Sequence, residues 1–166
     1  MKKLILGVGN TLKGDDGVGV HVAERINEYL KEIEQRSIQV KPARTRTDIT
    51  VIDCGTTPEN YTSIIRKHNP NVVILVDAAD MGLGPGDYRI IPPEKIGVMC
   101  LSTHDMPLSL FASYVSGLCG EMVLVGIQPQ RIDVGATLSS AVRRGGDDVA
   151  NIIIEDRLNE IMMLET

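Results

Sequence analysis

The chain has 166 residues, enough for one domain with a substantial hydrophobic core. Apolar residues make up 43% of it and charged residues 23%, which excludes a disordered tract and a membrane-embedded chain. A formal charge of −5 argues against a nucleic-acid partner, and one Phe with no Trp leaves a core of Val, Ile, Leu, Met and Ala, favouring a sheet covered by helices.

Met1-Lys2-Lys3 ahead of Leu4-Ile5-Leu6 imitates the opening of a signal peptide, but Gly7, Asn10, Lys13 and Asp15 break the apolar run. No stretch approaches membrane-spanning length, and Cys54, Cys100 and Cys119 form no CxxC pair. The expectation is a cytoplasmic protein with reduced thiols.

Residues 3–8 (KLILGV) read as a buried strand ended by Gly9-Asn10. Val22, Ile26, Tyr29, Leu30 and Ile33 recur at helical spacing and predict a helix over 17–34, with Asp15 and Asp16 at its start. A polar, basic loop is expected over 35–48, then a short strand around Val51-Ile52 closed by Gly55 and a helix over 58–68. Val72 to Val76 is the clearest strand and ends at Asp77. Glycines at 82, 84 and 86 turn the chain into a fourth strand at 88–91, followed by a loop over 93–103. A helix is predicted over 105–118, a fifth strand over 122–127, a turn at 139–144 and a last helix over 147–164, with Gly145-Gly146 as an interruption. The expected fold is a single three-layer α/β domain, 1–166, with a mainly parallel sheet whose fourth strand runs against the rest.

In such sheets ligands gather beyond the carboxyl ends of the strands. Strand one brings Gly7-Val8-Gly9-Asn10 and Asp15-Asp16 to that edge, and strand three brings Asp77 and Asp80. His104 is read as opening a helix near the same edge, and an imidazole with two carboxylates suits nickel, zinc or iron. Each feature also has a plainer reading. The glycines make a tight turn, Asp16 caps a helix, Asp80 caps the turn, and His104 is a helix-entry residue. A carboxylate ending an apolar strand, as Asp77 does, is harder to explain without a partner or ligand. His21 and His68 are read as surface residues without a role, and the cysteines as buried small hydrophobes, with Cys54 nearest the site.

Several segments, in order, resemble the hydrogenase maturation endopeptidases: LGVGNTLKGDDGVG (6–19), IDCGTTPEN (52–60), ILVDAADMGLGPGDYRII (74–91), STHDMPL (102–108) and LVGIQP (124–129). The likeness thins through Gly135, Leu138 and Ser139. Asp80-Met81-Gly82 and Thr103-His104 resemble especially the branch serving formate-hydrogenlyase-type hydrogenases. Cys54 stands where that family often carries glycine, and loop 35–48 is longer than in some relatives.

The resemblance implies a five-stranded α/β/α domain of strand order 2-1-3-5-4, with strand 4 antiparallel. It implies an endopeptidase that removes the C-terminal extension of a nickel–iron hydrogenase large-subunit precursor. Asp16, Asp77 and His104 fall on the family's catalytic and nickel-sensing positions, and Asp16 is the first choice of general base. The nickel would come with the precursor rather than stay bound, and no nucleic acid or membrane insertion is expected. Two alternatives stay open. One is a magnesium-dependent phosphohydrolase using Asp15, Asp16 and Asp77 without His104. The other is a non-catalytic metal- or nucleotide-binding module built on Gly7-Val8-Gly9, although Asn10-Thr11-Leu12 lacks the third glycine of a phosphate fingerprint.

Overall fold

In the computed structural model, residues 1–37, 48–101 and 106–165 are described. Strand β1 (Lys3–Val8) is buried along its whole length. It lies between two parallel neighbours, β2 (Ile49–Gly55) and β3 (Val72–Ala78). Beyond β3 runs β5 (Glu121–Ile127), also parallel, with the short β4 (Tyr88–Ile90) antiparallel at the edge. The order is therefore β2-β1-β3-β5-β4, as the family resemblance implies.

Strand periodicity splits the core into two layers. Ile5, Ile74 and Val76 face one side, where α1 (Val18–Ser37) and α5 (Ser140–Ile154) supply Val22, Ile26, Val142 and Val149. Leu4, Leu6, Val73 and Leu75 face the other. There α2 (Thr62–His68), α3 (Ile96–Met99) and α4 (Leu108–Ser116) bring Ile65, Ile96 and Phe111. A continuous Val/Ile/Leu run such as β3 is what a strand covered on both faces requires.

Three expectations need correction. The stretch expected to be loop over 93–103 contains a 3-10 turn at Pro93–Lys95 and the single-turn helix α3. Helix α4 starts at Leu108 rather than 105, because Pro107, at its N-cap, is in an extended conformation with ψ 135°. The last helix runs from Ser140 to Ile154 unbroken through Gly145-Gly146, and a 3-10 turn at Leu158–Glu160 follows. That glycine pair serves packing. A Cβ on Gly145 would lie 2.1 Å from the carbonyl oxygen of Gly86, and one on Gly146 would press on His21 and Val18. The tertiary contact outweighs the poor helix propensity of glycine.

Candidate active site at the carboxyl edge of the sheet

β1 and β3 are adjacent, so the residues that follow them meet at one edge. After Val8 the chain folds back at Gly9, whose Cβ, if it had one, would lie 2.0 Å from the carbonyl oxygen of Asp16. Only glycine lets the strand end approach the 3-10 turn Gly14–Gly17 so closely. Gly19 does the same for α1, whose backbone rests against the carbonyls of Val8 and Val76. The GxGN sequence is thus a packing seam that sets Asp16 beside the end of β3.

Neither acidic residue of that turn caps it through its side chain. Asp16 is nearly buried, and its Oδ2 accepts the Asn10 N–H at 3.0 Å. Asp77 is fully buried; Oδ1 accepts the Ala78 N–H at 2.8 Å, while Oδ2 has no hydrogen-bond partner among the described residues. Burial, and then the negative charge of Asp16, push the Asp77 carboxyl well above the usual carboxylate range, against the opposing bond from Ala78. Two carboxyls within electrostatic reach, one with an orphaned oxygen in a dry environment, favour a proton or a cation between them.

Cys100 pairs with Ala79 across an isolated bridge next to this site. Burial and the neighbouring Asp77 charge raise its thiol, so it stays protonated. Cys54, at the end of β2, is buried with its thiol pushed up to about 12, by burial first and then by Asp53 and Glu59. It behaves as the small hydrophobe expected.

His104 lies outside the described residues; helix α4 begins beyond it, at Leu108. Among the described residues, no three His, Cys, Asp or Glu side chains gather as a metal-holding cluster. The structure therefore brings Asp16 and Asp77 together. Asp80 does what the plainer reading expected, accepting the Gly82 N–H across its turn.

Two residues do something here that the sequence reading did not expect, since Asp15 was read as a helix-start residue or, in the phosphohydrolase alternative, as a metal ligand. Asp15, fully buried, accepts the N–H groups of Gln130 and Arg131 on Oδ2 and that of Ser139 on Oδ1, at 2.7–2.9 Å, and the Ser139 hydroxyl donates to Oδ2. Burial alone would raise its pKa, but these bonds outweigh it and hold the carboxyl below its ordinary value. Gln128 is the second. Its Oε1 accepts from Met81 and Leu83, and its Nε2 donates to Asp80, which fastens the loop after β3. A buried-strand end continuing into Gln-Pro was the available signal. His21 is also not the surface residue expected: it bonds Asp147 at 2.7 Å and joins α1 to α5.

A cleft of about 470 Å³ opens between β4 and α5, lined by Tyr88, Arg144, Gly145, Asp148 and Met162 among others, and neither Asp16 nor Asp77 lines it.

Comparison with known proteins agrees with this fold. A family model described as HycI, hydrogenase maturation protease, matches residues 20–156. The hydrogenase 3 maturation protease of Escherichia coli K12 is 38% identical over 130 residues, covering 78% of this chain and 74% of its own. The solution structure of the endopeptidase HycI from Escherichia coli superposes with TM-score 0.79 at 30% identity, over 99% of this chain and 97% of that one. The crystal structure of a NiFe hydrogenase maturation protease HycI from Thermococcus kodakarensis gives 0.75 at 31%, over 94% and 92%.

Proposed function

This chain belongs to the hydrogenase maturation protease family, and we propose that it cuts the C-terminal extension from a nickel–iron hydrogenase large-subunit precursor once nickel is in place. The observation that carries the reading is the orphaned, fully buried Oδ2 of Asp77 beside Asp16. A divalent cation arriving with the substrate supplies what that oxygen lacks and lets Asp77 ionise by displacing its proton. Asp16 and Asp77 then offer hard carboxylate ligands, and His104 a neutral imidazole, while the precursor holds its nickel through soft thiolates. A precursor without nickel lacks the shared atom, which ties binding to the state of the substrate.

A cation borne by the substrate would hold the scissile peptide in place, while Asp16 takes the proton from the attacking water and passes it to the departing amine as the C–N bond breaks. Buried Cys54 and half-buried Cys100, both with thiols pushed up and so held protonated, are poor nucleophiles, which supports direct hydrolysis over an acyl-enzyme. The phosphohydrolase alternative needs a third carboxylate, and Asp15 is committed to hydrogen bonds with the 130–139 loop. Cysteines at 54, 100 and 119 are free, and among the described residues no helix is long and apolar enough to cross a membrane, which fits a reaction in the cytoplasm.

The test is mass spectrometry of a large-subunit precursor, with and without nickel, after incubation with the protein. Loss of a C-terminal peptide is expected from the nickel-loaded form alone. Asp16→Asn, Asp77→Asn and His104→Ala should each lower the cleavage rate by about 100-fold or more. No truncation under any metal loading, or full activity in His104→Ala, would defeat the reading.

A further inference from the structure

The segment 130–135 is exposed throughout and has no regular secondary structure, yet its backbone is fastened down. Asp15 accepts the N–H groups of Gln130 and Arg131, and its own N–H donates to the Arg131 carbonyl at 2.7 Å. Further along, the Gly135 N–H donates to the Leu12 carbonyl at 2.9 Å, which draws the two loops together. Held in this way, Leu12, Ile132 and Val134 point apolar side chains at solvent, with exposures of 71%, 46% and 79%. The charged neighbours Arg131 and Asp133 pair with each other at 3.3 Å, so they present little net charge.

We infer that the joined loops at 10–14 and 130–135 form an apolar docking rim for the protein substrate, with Leu12, Ile132 and Val134 as its contacts. This rests on the protease reading above. Three observations select that occupant. The rim is continuous with the site, because the loop that carries Leu12 runs directly into Asp15 and Asp16. Leu12, Ile132 and Val134 are exposed and do not line the cleft between β4 and α5, so they offer a surface for a macromolecule rather than that pocket's enclosure. Its three outward contacts are apolar, with the Lys13 cation beside Leu12 and the Arg131–Asp133 pair around them, a mixture that suits burial against the surface of a folded protein. The buried Asp15 clamp fixes the backbone of this loop before binding, so less loop entropy is lost on docking.

The experiment compares the full-length protein with the triple variant Leu12→Ser, Ile132→Ser, Val134→Ser in steady-state cleavage of a nickel-loaded large-subunit precursor. The side chains are exposed, so thermal unfolding should stay close to that of the wild type. If the triple variant folds poorly, Val134→Glu alone is measured the same way. The rim predicts a rise in KM of about tenfold or more with kcat within about twofold, because uniform binding is removed and chemistry is left in place. An unchanged KM overturns it. So does a wild-type dimer, seen by sedimentation, that the variant dissociates without any change in KM, since the patch would then serve a second copy of the chain. A wild-type protein that cuts no precursor sinks the protease reading and the rim together; one that cuts normally while the variant matches its KM sinks the rim alone.

Discussion

Asp15 and Asp16 are adjacent in sequence, yet the fold gives their carboxylates opposite tasks. Asp15 binds backbone that lies 115–124 residues further along. Asp16 turns toward Asn10 and the end of β3. A pair of neighbouring aspartates in a glycine-rich turn does not announce this division, since Asp15's partners are distant loop amides that leave no local pattern. The meeting of Asp16 and Asp77 at one sheet edge was legible for a different reason: ligand sites collect at strand carboxyl ends, and Asp16 follows β1 while Asp77 lies at the end of β3. Removing the clamp tests Asp15 directly. Asp15→Ala leaves three backbone N–H groups without their acceptor and should cost about 2–4 kcal/mol in urea unfolding. Limited trypsin digestion supplies a local readout, with cleavage after Arg131 expected in the variant and resisted by the wild type. Equal resistance would mean that the loop is held by other contacts.

At the scale of elements, the strands were readable almost to the residue, because an unbroken Val/Ile/Leu run of strand length has few other interpretations. β3 was expected at 72–76 and extends to Ala78. Helix ends were less legible where a tertiary contact decided them. Gly145-Gly146 looks like a break until Gly86 is seen against its backbone, and α3 is a single turn, too short to carry a periodic signal. The interior glycines of the site have the same logic. A methyl group on Gly19 would meet the Val76 and Val8 carbonyls at 2.2 and 2.3 Å, and neither strand end can retreat from its sheet. Gly19→Ala should therefore cost about 3 kcal/mol or more, by forcing α1 off the sheet. Gly55→Ala is the contrasting case. Nothing lies within 4 Å of its Cβ position, and the penalty comes from its φ of +54° alone, about 1 kcal/mol. Equilibrium denaturation of the two variants should separate steric from conformational cost; equal losses would contradict the packing seam.

Across the whole molecule, these carboxyls make stability depend on pH in a definite way. Asp15 has a folded pKa below its ordinary value of 3.8, so it stabilises the fold above that value and the contribution is lost as pH falls below it. Asp77 has the opposite sign. Its folded pKa lies well above 3.8, so the folded state holds the proton more tightly than the unfolded chain does. That advantage is complete below 3.8 and is lost as pH rises toward the folded pKa, which leaves the cation-free protein carrying a buried carboxyl it would prefer to neutralise. Lying on β3, opposite Gly126 of β5, that carboxyl is fully shielded from solvent. Asp77→Asn keeps an acceptor for the Ala78 N–H and removes the ionisation. Melting curves of wild type and Asp77→Asn should nearly coincide in acid and diverge above pH 3.8, with the variant more stable by about 1–3 kcal/mol at neutral pH. The same variant should fail to cut the precursor, which would identify the instability as the cost of a site built for a cation. Curves that run parallel across the whole pH range would show that Asp77 titrates alike in the folded and unfolded chain, and the electrostatic basis for its role would be gone.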